Sequence, residues 1–166
     1  MSRSGYSDDL DNWAMIKWRG RVTSATRGKR GQKLLRDLLA ALDAMPEKRL
    51  VSSEFQADGE FCALGVVANA RGIDTSDIDV EDSECGDAIA DRLDIAAPLA
   101  KEIMFFNDEW IDKHEFIDIE ICGPMRPHFP DWDRHKRTVR VAAKNMSERR
   151  WQYMREWVAK QIKASQ

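Results

Sequence analysis

The sequence predicts a mainly helical α+β fold: a single domain of about five helices carrying one β-hairpin, whose connecting loop is long and rich in proline. Three observations lead there. Apolar residues recur at spacings of three and four through Leu34, Leu35, Leu38, Leu39 and Leu42, the period of a helix with one buried face. The apolar period then falls to two at 114–121 and again at 137–141, which is strand spacing. Between those strands lie residues 122–136, with Pro124, Pro127 and Pro130, too many for a tight hairpin turn. A chain of 166 residues suits one core, and 43% hydrophobic against 33% charged residues is enough to build it without a polar excess that would favour disorder.

Residues 1–11 are small and polar and are expected to form a flexible N-terminus, leaving 12–166 as the α+β domain. Trp13, Ile16, Trp18 and Val22 give a weak apolar pattern interrupted by Gly20, a short helix at most. A basic turn at 27–31 precedes the leucine-rich helix, which Pro46 ends. A short strand is expected over 50–55 and a turn at Asp58-Gly59. A helix follows over about 60–71, closed by Gly72. An acidic loop over 73–83 leads to two consecutive helices, 84–93 and 95–109, with Pro98 tolerated near the start of the second. After the hairpin, Ser147 caps a helix whose apolar face is Trp151, Met154, Trp157, Val158 and Ile162.

The formal net charge of −3 conceals three blocks. Residues 1–51 carry 11 basic and 6 acidic side chains, residues 52–122 carry 4 and 19, and residues 123–166 carry 11 and 4. Such blocks either neutralise one another across the fold or form separate faces that select partners of opposite sign. No apolar run approaches the roughly 18 residues that span a bilayer, and residues 1–11 lack the pattern of a signal peptide. A cytoplasmic protein with no membrane partner is expected. Three cysteines without Cys-x-x-Cys spacing, Cys62, Cys85 and Cys122, argue against a disulfide framework and a structural zinc site.

Several constellations bear on chemistry. Cys62 falls near a helix start, where the dipole favours a thiolate, and His114 comes later, in the chain order of a cysteine hydrolase. The apolar run 61–67 favours instead a cysteine that fills the core. His128, Asp131, Asp133 and His135 are metal-ligand types whose spacing matches no defined metal motif. Asp118 and Glu120 share a strand face, with Cys122 where a metal nuclease would want lysine. Asp77, Asp79 and Glu81 alternate as in a calcium loop, but Asp82 and Ala88 occupy the glycine and carboxylate positions. The stretch 28–31 lacks the spacing of a phosphate loop. No cofactor is expected. The segment 89–103 has the spacing of a helix-turn-helix, yet its acidic surroundings would repel phosphate. Lys17, Arg19, Arg21, Arg27, Lys29 and Arg30, and later Arg134, Lys136, Arg137 and Arg140, would suit phosphate if the fold joined them, with Trp18 and Trp132 to stack on bases.

The run from Arg19 to Gln32 (Arg-Gly-Arg-Val-Thr-Ser-Ala-Thr-Arg-Gly-Lys-Arg-Gly-Gln), Cys62-Ala-Leu-Gly65, Asn107-Asp-Glu109 and the tryptophan-bearing last helix resemble an uncharacterised group of small bacteriophage and prophage proteins. The resemblance implies a phage accessory setting in a bacterial host cell and supplies no catalytic residue. The expectation that follows is a non-enzymatic protein that binds a host protein or nucleoprotein complex. It would inhibit a defence complex in the manner of an anti-CRISPR protein, by steric occlusion or charge mimicry. Arg126, Phe129, Trp132, Arg134 and Arg137 are the expected interface, since Arg and aromatic anchors dominate binding energy when buried. The alternatives are a Cys62 hydrolase and a nucleic-acid binder using the basic terminal segments. The sequence leaves the oligomeric state open.

Overall fold

Six helices and two small antiparallel sheets make up the regular structure in the computed structural model, which describes residues 3–6, 11–120 and 136–163. The fold is mainly helical α+β, as the apolar periods require. Contacts group the chain into a helical unit, Met1–Ile111 with Ser147–Gln166, and a hairpin unit, Asp112–Met146.

In the helical unit, α1 (Asn12–Arg27) starts at Asp11, whose carboxylate accepts the Ala14 N–H at 2.7 Å. It runs straight through Gly20, where the sequence suggests a break. Burial of Val22 and Thr26 and the Asp11 cap outweigh the roughly 1 kcal/mol by which an interior glycine disfavours a helix. Gly28 alone separates α1 from α2 (Lys29–Ala44), so the expected basic turn is a single-residue joint. Gly31 lets the two helices meet: a Cβ there would stand 2.0 Å from the Ala25 carbonyl oxygen. The leucine stripe faces inward as predicted, with Leu34, Leu35, Leu38 and Leu42 fully buried.

Residues 50–55 do not form the expected strand. The strand pair lies just beyond, β1 (Gln56–Ala57) against β2 (Glu60–Phe61), joined by Asp58 and Gly59 at φ 50° and 84°. Two successive positive φ values make a hairpin turn that draws residues 60–61 into a strand. Helix α3 (Ala63–Ala70) therefore begins three residues later than the sequence suggests, at Cys62, whose sulfur accepts the Gly65 N–H at 3.5 Å. Gly65 admits the Phe55 carbonyl, which a Cβ would meet at 2.0 Å. Helices α4 (Cys85–Arg92) and α5 (Ala97–Asp108) follow, with Asp94 turning between them at φ 53° and Pro98 in the first turn of α5. Helix α6 (Met146–Lys163) buries Met154, Trp157 and Val158. Leu34, Leu38, Leu64, Ile89, Leu99 and Ile103 join them in one core.

The hairpin unit pairs β3 (His114–Glu120) with β4 (Lys136–Ala142), Ile117 opposite Val139 and Asp118 opposite Thr138. The Thr138 hydroxyl donates to Asp118 at 2.7 Å across the strands. The proline-rich connection, 121–135, lies outside the described residues.

We expect Gly65→Ala to lower the unfolding free energy by roughly 1–3 kcal/mol, since a backbone carbonyl must move. Gly20→Ala, whose Cβ meets nothing within 4 Å, should raise it by up to about 1 kcal/mol. Urea midpoints of the two variants measure both.

Candidate functional site

Among the described residues, buried polar groups concentrate where α5 ends. Asn107 is 1% exposed and uses both ends of its amide: Oδ1 accepts the Ala63 N–H at 3.1 Å, while Nδ2 donates to the Val51 carbonyl at 2.9 Å and to Asp108 at 2.7 Å. Asp108 also accepts the Ser53 N–H at 3.1 Å and the Arg3 guanidinium at 2.7 Å. That contact holds Ser53 at φ 66°, an uncommon backbone for serine. Arg150, from α6, donates to the Asn107 carbonyl and to the Leu50 carbonyl, each at 2.8 Å. Burial lowers its pKa from the ordinary guanidinium value, and Asp108 opposes that shift. One node thus joins the chain start, the 50–53 segment, α3, α5 and α6. Residues 3–6 are tied down here, although the composition of 1–11 suggests a loose end: Arg3 binds Asp108, Ser4 donates to Glu109 at 2.7 Å, and the Tyr6 hydroxyl donates to Glu102.

Cys62 borders this node and is 1% exposed. Burial pushes its thiol up, while the Arg3 guanidinium pulls the other way. A neutral, enclosed thiol is core material rather than a nucleophile. All three histidines fall within 112–146, and His114 is engaged in its own hairpin, where Nδ1 lies 2.8 Å from the Arg140 guanidinium. Apart from Arg3 Nη1, which is buried without a hydrogen-bond partner, the node's polar groups are taken up by backbone and by one another, so it positions chain segments.

Of the expected interface residues, Arg137 lies on β4, exposed, opposite Ile119. Arg126, Phe129, Trp132 and Arg134 lie outside the described residues, as do His128, Asp131, Asp133 and His135. Among the described residues no group of three or more potential ligands could hold a metal ion, and no helix is long and apolar enough to cross a membrane. The helix-turn-helix spacing is only packing: Leu99, Ala100, Ile103 and Met104 of α5 are buried, and none of its residues is exposed enough to read a groove.

The charge blocks partly interlace. Arg3 pairs with Asp108, Arg19 with Glu102 at 3.1 Å and Arg30 with Asp94 at 2.7 Å, so basic groups of the first block neutralise carboxylates of the second. Arg155 of the last block pairs with Asp43 of the first at 2.6 Å. Two stretches of the sequence keep a single sign. Residues 74–91 hold eight carboxylates and no lysine or arginine. Seven of the eight, Asp74, Asp77, Asp79, Glu81, Asp82, Glu84 and Asp91, are exposed. Asp74, Asp79 and Asp82 each accept the N–H two residues on, at 2.9 Å, which fixes the ridge as successive tight turns. Arg92 clamps Asp77 at 2.5 Å, and its guanidinium holds that carboxyl below the ordinary range. Conversely, residues 12–36 hold eight basic side chains and no carboxylate.

The sequence carries one signal for the node: Arg150 stands four positions before Met154, on the apolar stripe of the last helix, where only a paired charge can sit. Nothing local marks Asn107 and Asp108 as buried. No protein-family model, curated protein or solved structure matches the chain.

In a Cys122→Ser background, we expect Cys62 and Cys85 to resist iodoacetamide at neutral pH until the protein unfolds; rapid alkylation of the native state would show a reactive thiol. Burial raises both thiols and the Tyr6 phenol, the last helped by its bond to Glu102. Groups raised in this way contribute full stability below their unfolded pKa and lose it as pH climbs toward the folded one. The urea midpoint should therefore fall as pH rises above the ordinary thiol value of 9.0.

Proposed function

We propose that this is a non-catalytic binding protein that docks its acidic ridge, residues 74–91, onto a basic surface of a macromolecular partner and blocks that surface by occupying it. The observation that carries the reading is the contrast between two groups of carboxylates in the same block. Those at Asp94, Glu102 and Asp108 are answered by arginines from the chain start. Of those from Asp74 to Asp91, seven are exposed and three, Asp74, Asp79 and Asp82, are fixed by their own backbone turns, while Arg92 pairs with Asp77 and Lys101 with Asp87.

A preorganised row of like charges raises the local potential and speeds encounter with a surface of opposite sign. Turn-fixed carboxylates also lose little conformational freedom on docking, which is the condition for mimicry of a phosphate row. The setting implied by the sequence resemblance, an accessory protein acting on a host protein or nucleoprotein complex, agrees with a device of this kind. Burial of the Cys62 thiol, which raises its pKa, speaks against the hydrolase alternative.

Neutralising the ridge isosterically tests the proposal, because asparagine keeps the turn bonds that aspartate makes. The variant Asp79→Asn, Glu81→Gln, Asp82→Asn, Glu84→Gln should fold normally and lose at least tenfold in affinity for the partner that the wild type captures from bacterial lysate. Wild-type binding should itself weaken steeply between about 50 mM and about 500 mM salt. Equal capture by the neutralised protein, or no partner at either salt, contradicts the reading.

A further inference from the structure

The opposite face of the charge pattern carries a second surface, independent of the acidic ridge. On α1, Trp13, Lys17 and Arg21 follow one another at intervals of four, so their side chains line one side of the helix over roughly 12 Å. All three are exposed, Trp13 by 66%, and Ile16 beside it by 60%. The stripe leads past Ser24 to the α1–α2 joint, where Arg21, Ser24, Lys29, Arg30 and Pro98 line a pocket of about 500 Å³. Among the described residues, Lys17, Arg21 and Lys29 have no ion-pair partner. Arg30 pairs with Asp94, but both side chains are more than half exposed, so that contact opens readily. The cap of α2 is Gly28, so no capping side chain bonds the first-turn N–H groups of that helix.

We propose that this stripe binds a single-stranded nucleic acid, with Lys17, Arg21 and Lys29 on successive phosphates and Trp13 stacked on a base. The cations supply the charge complementarity, and their span suits roughly two or three neighbouring phosphates. The exposed indole decides between nucleic-acid forms: a flat ring at the end of a phosphate track finds a partner where base faces are open, as in a single strand, and none in a stacked duplex. Trp13 and Ile16 alone are too little apolar surface to enter a bilayer. Asp11 is held by the Ala14 N–H, Asp94 faces Arg30, and Glu102 is taken by Arg19 and Tyr6. None of them lies between Trp13 and Lys29 in the chain.

Fluorescence anisotropy of a labelled oligothymidylate with the full-length protein tests this. The triple change Lys17→Gln, Arg21→Gln, Lys29→Gln should weaken binding at least tenfold at low salt and reduce the slope of log K against log salt by about 2. Trp13→Ala should weaken it fivefold or more without changing that slope. Thermal midpoints matching the wild type confirm that these surface variants fold. The same oligomer as a duplex, and vesicles rich in anionic lipid, should bind at least tenfold more weakly. Undiminished binding by the triple variant, no binding by the wild type at low salt, or a preference for duplex or vesicles would overturn the proposal.

Discussion

The structure of the helical unit depends on the amide of Asn107 and the carboxylate of Asp108 being buried with all of their strong partners. A buried amide or carboxylate left unpaired destabilises a fold by several kcal/mol, so the segments that satisfy these two must come together or none of them is stable there. Those segments lie far apart in the chain: Arg3, Val51, Ser53 and Ala63, with Arg150 joining them at the Asn107 backbone carbonyl. Leucine burial supplies the gross driving force, but apolar contact is nondirectional. The node supplies direction. It fixes which irregular segment passes over α3, and it holds Ser53 in a conformation that would otherwise relax.

The same constraint shapes the exterior. Once Arg3 is drawn to Asp108, Tyr6 reaches Glu102 and the carboxylates of α5 are answered from inside the helical unit. Arg19 joins Glu102 from α1. The acidic block is thereby divided: Glu102 and Asp108 become structural, while most carboxylates before α4 and along it stay outward. The basic block is divided in the same manner, with Arg3 and Arg19 turned to internal carboxylates while Lys17, Arg21 and Lys29 remain outside.

What the sequence discloses follows from the range over which each signal acts. The leucine stripe of α2, the apolar face of α6 and the alternating β3 and β4 are local periodicities, and each appears where the spacing places it. The start of α3 was not legible, because Asp58-Gly59 reads equally as a helix entry and as a hairpin turn; only the pairing of Gln56 with Phe61 decides. Gly20 misleads in the opposite sense, since a glycine weakens a helix by an amount that tertiary burial readily offsets. Asn107 and Asp108 look like surface residues at a helix end, as their types usually are. Their partners are 43 to 105 positions away, beyond any local pattern. The interface expected around Trp132 rests on composition alone, and of its members only Arg137 lies among the described residues.

Native-state hydrogen exchange in an Asn107→Ala variant addresses the node most directly. If the node acts as one unit, the amides of Ala63 and Ser53 lose protection together, although only Ala63 donates to Asn107 itself. The amides of Leu38 and Leu42, inside α2, should keep theirs. Loss of protection at Ala63 alone, with Ser53 unchanged, would mean that the contacts are independent and that leucine packing suffices to place these segments.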